Sequence, residues 1–106
     1  MSIKELVYQL IENYHLIERT WEWFWKNYDS YLKENPEESA KYGLYSRDSV
    51  EAYLVDRSYH VAYDNEIEFI RITLDMHRKK DNRYTGYYSS DFTLDGEDFD
   101  DWFVIE

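Results

Sequence analysis

The chain has 106 residues, a length that fits one domain, and its 23 acidic against 12 basic residues leave a formal net charge of −11. Without cysteine it can form no disulfide, thiolate metal site or cysteine nucleophile, and a field of this sign repels nucleic acid and anionic membrane. Aromatic residues make up 20% of the chain, and each buried ring removes roughly 150–250 Å² from water, so a small core holds without covalent staples.

The first residues carry Glu5 and Glu12 and no unbroken apolar segment, unlike a secretory signal. No stretch approaches the roughly 18–20 apolar residues needed to cross a bilayer. A cytoplasmic location and a single domain over 1–106 are therefore expected. Residues 1–35 contain neither Gly nor Pro, and Ile3, Val7, Leu10, Tyr14, Ile17, Trp21, Phe24, Tyr28 and Tyr31 follow in alternating steps of four and three. On a helix that alternation is one continuous apolar seam, widened by Leu6, Leu16, Trp25 and Leu32. Ser2 is the expected N-cap, with Glu5 as its capping-box partner. A helix over 3–33 spans about 46 Å at 1.5 Å per residue, as wide as the whole domain. It must overhang the domain or break near Asp29-Ser30; one helix with a frayed end is the expectation.

Asn35-Pro36-Glu37-Glu38 reads as a second helix start, with Pro at the first helical position, and Gly43 closes it in the left-handed conformation. Ser49–Arg57 reads equally as a helix capped by Ser49 or as a strand. From Ser58 the period becomes two. Tyr59, Val61 and Tyr63 alternate up to an Asp64-Asn65 turn. Ile70, Ile72, Leu74 and Met76 form one strand face, opposite Phe69, Arg71 and Thr73. Lys79–Asn82 makes a turn, 84–94 a third strand, Asp95-Gly96 another turn, and Trp102–Ile105 the last strand. The predicted class is α+β: a long N-terminal amphipathic helix, plus one or two short helices, packed on a three- to four-stranded antiparallel β-meander.

Catalytic signatures are missing. His15, His60 and His77 fall on three different elements without a second ligand at metal-site spacing, and His15 lies on the side away from the seam. Three glycines supply no phosphate-cradling loop, and no nucleophile-elbow motif occurs. So small a scaffold is expected to lack a cleft of roughly 300 Å³ for a substrate. Asp91, Thr93, Asp95 and Gly96 open like a calcium loop, but Thr stands for the second acid and Trp102 occupies the twelfth position, where a bidentate carboxylate is required. A hairpin turn fits better. No enzyme, cofactor or metal is expected.

The acidic end is the most unusual feature: Asp91, Asp95, Glu97, Asp98, Asp100, Asp101 and Glu106 share their stretch with no Lys or Arg, and Phe92, Phe99, Trp102 and Phe103 are interleaved. Carboxylates along an exposed ribbon imitate a phosphate row, and rings between them supply desolvated anchors. Asp91, Asp95, Glu97, Asp98, Asp100, Asp101 and Trp102 are therefore the candidate partner-binding residues; the bland account is a solvated loop with its rings turned inward. The basic cluster Arg78-Lys79-Lys80 with Arg83 reads as a solvated turn or a counterweight to the acidic end. Trp23, outside the seam, is an interface candidate. The profile resembles that of phage or mobile-element proteins that disarm host nucleases, and of immunity proteins that neutralise nuclease toxins, although no family motif carries the likeness. The expected role is a stoichiometric inhibitor of a basic protein, a nuclease or another nucleic-acid binder, with no direct binding to nucleic acid or membrane. The alternative is a structural module that forms a homodimer or larger assembly through the helical seam.

Overall fold

A computed structural model describes residues 1–106. Helices α1 (Ile3–Asn13), α2 (Leu16–Glu34) and α3 (Pro36–Lys41) precede a 3-10 turn (Arg47–Ser49). Strands β1 (Val50–Val61), β2 (Glu68–Arg78), β3 (Arg83–Thr93) and β4 (Asp98–Ile105) follow. The strands form one antiparallel sheet in the order β1-β2-β3-β4, an uninterrupted meander with β1 and β4 at its edges. The fold is α+β, as the sequence predicts, and no helix is long and apolar enough to cross a membrane.

The period-two face of β2 forms the centre of the core. Ile70, Ile72, Leu74 and Met76 are all fully buried, each contributing roughly 1.5–3 kcal/mol from removal of apolar surface. Two apolar clusters line the covered sheet face. Val7, Ile11 and Leu16 meet Ile70, Ile72 and Phe92 at one end. Phe24, Tyr28 and Leu44 meet Val50, Leu74, Met76 and Tyr88 at the other. The opposite face of the sheet carries no helix.

Ser2 caps α1 as expected, accepting from the Glu5 amide at 3.1 Å. The single helix over 3–33 does not form. The chain breaks at Tyr14-His15, not near Asp29-Ser30, and His15 takes the left-handed conformation at φ 54°. The break re-phases the helix: Leu16, Thr20, Phe24 and Tyr28, four residues apart, become its buried row. Leu16, on the flank of the predicted seam, is thus fully buried, whereas Tyr14 is 39% exposed. Of this seam, Val7, Phe24 and Tyr28 are buried against the protein's own sheet, whereas Ile3 and Tyr14 stay exposed. Of Ser49–Arg57, the residues from Val50 on are strand, and Ser49 ends the 3-10 turn, closing a capping box on Ser46. Tyr63 lies beyond β1 and is 97% exposed.

Gly86 sits in a β-bulge at φ +154°, where an added Cβ would stand 2.0 Å from the Val104 carbonyl oxygen of β4. Only glycine lets β4 approach β3 this closely.

Candidate functional site

The acidic segment is not a loop running up to Trp102. Strand β4 begins at Asp98, because pairing of Asp98, Asp100 and Asp101 with Phe92, Asp91 and Ser90 outweighs the poor strand propensity of aspartate. Period two then divides the candidate residues between the faces of the sheet, and they do not form one surface.

Asp91 is not available to a partner. Its side chain is 4% exposed and pairs with Arg71 on the uncovered face. The guanidinium donates twice, Nε to Oδ1 at 2.8 Å and Nη2 to Oδ2 at 3.0 Å. Arg71 also lies 4.8 Å over the Trp102 ring and 5.4 Å over Phe69. Trp102 is therefore half-buried beneath an internal cation and is not an outward anchor. The register explains both: Arg71 faces Asp91, and Ser89, beside Asp91, faces Trp102.

Asp95, Glu97, Asp98, Asp100 and Asp101 are all exposed along the β3–β4 turn and the first half of β4. Of these five, Asp98 alone makes an ion pair, with Arg19 of α2. Arg19 ties this hairpin to the helix break: its Nη1 donates to Tyr14 O at 3.2 Å and to Gly96 O at 2.7 Å, and its guanidinium lies 4.9 Å over Phe92. Gly96, at φ +82°, lets the Tyr14 ring close over the turn; an added Cβ would stand 2.4 Å from Tyr14 Cγ.

Beside β4 lies a cavity of about 280 Å³ lined by Trp23, Tyr88, Ser90, Asp98, Phe99, Asp100 and Asp101. Trp23 and Phe99 are 43% and 46% exposed. The Tyr88 hydroxyl donates to Asp101 Oδ2 at 2.6 Å. Burial, and after it the neighbouring Asp101 carboxylate, push the Tyr88 phenol far up, so it remains a donor. Asp100 Oδ1 accepts from the Asp101 amide at 3.0 Å. The sequence singles out Trp23 and the aspartates separately; the structure brings them together. It also adds Tyr88 and Arg19, which no local pattern distinguishes, while the ring of Phe99 packs edge-on to Phe69 on the uncovered face, centroids 5.5 Å apart.

Other concavities reach about 410 Å³, around Glu34–Lys41, larger than expected for this scaffold, but no hydrophobic residue lines that one. No group of three or more His, Asp or Glu side chains is placed to hold a metal ion. His60 stacks on Phe69 with centroids 4.9 Å apart, and His77 packs edge-on to Tyr53 and Tyr84. The basic cluster caps the other end of the sheet, since β2–β3 and β3–β4 turns lie at opposite ends of a meander. It is no counterweight to the acidic hairpin; Arg78 pairs with Asp81 at 2.5 Å, and Lys79 approaches Glu51. No family model, curated protein or solved structure matches the chain.

Proposed function

We propose that this is a non-enzymatic binding protein which presents the β3–β4 turn and the start of β4 to a cationic protein surface, acting as a stoichiometric blocker of a nuclease or another nucleic-acid-binding protein. The observation that carries the reading is the exposed run Asp95, Glu97, Asp100 and Asp101, none of which makes an ion pair within the chain, with the half-exposed rings of Trp23 and Phe99 on either side of β4. Carboxylates held on a strand and a tight turn keep their spacing, so they compete with a phosphate row without first being ordered. The rings supply apolar area that charge alone does not.

The proposed surface is smaller than the sequence suggests, because Asp91 and Trp102 belong to the Arg71 cluster on the other face. The test compares the wild type with Asp95→Asn/Glu97→Gln/Asp100→Asn as immobilised bait. A partner that binds nucleic acid should elute from wild type as salt rises, escape the triple variant, and lose its nucleic acid one-for-one with added protein. Equal capture by both baits, or a complex indifferent to salt, sinks the proposal.

A further inference from the structure

The face of the sheet that carries no helix has a sign of its own. On it Asp100 stands in one row with Arg71 and Asp91, and Asp56 stands in the next with Thr73. A third row sets Asp75 of β2 between Tyr53 and Tyr87. Arg71 is the one Lys or Arg in these rows, and Asp91 already holds it. The bond from Asp91 raises the Arg71 pKa first, and the fields of Asp56 and Asp100 add to it. Four acids thus share this face with one cation.

The fold itself gives no reason for Asp75. Aspartate is a poor strand former, and β2 is a central strand. The residue is half-buried, yet its carboxylate pairs with no Lys or Arg of the chain. A carboxylate left so costs stability, and departures from local rules are expected where a surface is used. The rings beside it remain open: Tyr53 is 42% and Tyr84 39% exposed. Burial first, then the charges of Glu106 and Asp75, raise the Tyr84 phenol, so the Asp75 charge reaches that ring.

We infer that a cationic protein partner lies across the uncovered face of the sheet, from Phe99 and Asp100 at β4 to Asp75 at its centre, where a lysine or arginine of the partner meets the carboxylate between the tyrosine rings. The inference rests on the reading above and extends its contact from the hairpin onto the sheet. Charge selects the occupant. Two copies docked face to face would oppose the same surplus of acids, which disfavours a second copy of this chain. Nucleic acid can stack on ring-bearing sheets, but it meets the same repulsion. Size agrees as well. Four strands, of which β2 and β3 have 11 residues each, make a face of roughly 19 by 36 Å, about 700 Å². With the adjoining β3–β4 turn this approaches the roughly 800 Å² that each partner gives to a stable complex. The middle rows are also fixed before anything binds, by the Arg71–Asp91 pair and by the Thr73 and Ser89 hydroxyls, bonded at 2.8 Å.

The test titrates acetyl-hexa-arginine amide into the full chain at about 0.15 M ionic strength, with the neutral hexacitrulline isostere as control, and follows amide and indole NMR shifts. Hexa-arginine should give saturable shifts at residues 73–77, 87–89 and 99–102, and the Trp102 indole should move more than that of Trp23. Asp75→Asn should weaken binding about ten-fold, yet urea unfolding should find it no less stable than the wild type, because no internal partner is lost. Asp95→Asn/Glu97→Gln should weaken binding by no more than about three-fold. Equal shifts with hexacitrulline, shifts that do not saturate, unchanged affinity in Asp75→Asn, or a loss of stability in that variant overturn the inference. Shifts centred on Asp95, Glu97 and the Trp23 indole overturn it too, but leave the hairpin surface standing. If the peptide occupies the sheet face and no nucleic-acid-binding protein competes with it, the face stands and the blocking role falls.

Discussion

Replacing Arg71 with methionine tests whether Asp91 is structural. The substitution keeps an apolar stem against Trp102 and Phe69 and removes the guanidinium. Asp91, at 4% side-chain exposure, would then be a buried carboxylate without its two donors. Orphaning one member of a buried pair costs roughly 3–5 kcal/mol. Because Arg71 is 30% exposed, water enters the space it leaves, which places the cost at the lower end, about 3 kcal/mol. Asp91→Asn is gentler, since the amide oxygen still accepts one bond and the remaining guanidinium hydrates; about 1–1.5 kcal/mol is expected. Adding Asp91→Asn to Arg71→Met should therefore raise stability, because it removes the orphaned charge. Urea unfolding followed by tryptophan fluorescence measures all four corners of this cycle, and at about 4–8 °C per kcal/mol the single Arg71→Met should melt roughly 12–24 °C lower. A loss under about 1 kcal/mol for Arg71→Met, or no rescue in the double variant, would refute the view that the pair is held by burial.

Phe24 is fully buried and touches the rings of Trp21, Trp25, Tyr28, Tyr88 and Phe103. Phe24→Ala should cost about 3–5 kcal/mol in urea unfolding, and a loss near 1 kcal/mol would show that the cluster collapses into the space. Gly86→Ala should cost more than about 2 kcal/mol, because its Cβ meets the Val104 backbone, whereas Gly43→Ala meets only the Arg78 stem at 3.2 Å and should cost about 1 kcal/mol; reversed ranks contradict the close approach of β4. Burial, and secondarily Asp29, push Tyr28 up to about 12 from 10.0. The unfolded chain thus releases that proton first, so stability should be intact below pH 10 and fall as pH rises towards 12. Alkaline unfolding and tyrosinate absorbance should report this together, and a tyrosinate signal complete before unfolding contradicts it.

The strands were more legible than the helices, for a physical reason. The even-numbered residues Ile70–Met76 are fully buried because strand periodicity is set by the backbone, and it survives whatever packs above it. The break at His15 has no such local origin. Asn13-Tyr14-His15 contains no Gly or Pro, and a left-handed His is unfavourable in isolation. It is held by distant partners, Gly96 beneath Tyr14 and the Arg19 bonds to Tyr14 and Gly96. The Arg71–Asp91 pair was within reach. Counting outward from a turn at 79–82 sets Arg71 against Ser90, and the bulge near Gly86 shifts the register by one, to Asp91. A glycine in a strand is the signal for such a bulge.

Charges on an edge strand keep it from pairing with other chains, and this requirement alone could account for Asp98, Asp100 and Asp101. The other edge tests that account. Strand β1 is longer, 12 residues against 8, and carries a register shift between Leu54 and Asp56 with both signs of charge, Glu51, Asp56 and Arg57. A bulge and a few mixed charges therefore suffice for an edge in this fold. At β4 every charge has one sign, and the exposed rings of Phe99 and Trp23 stand beside them. Exposed apolar side chains do not set the two edges apart, since β1 exposes Tyr53, Leu54 and Val55 as β4 exposes Phe99. The single sign of charge at β4, where mixed signs protect the other edge as well, is what favours the cationic partner proposed above over edge protection alone.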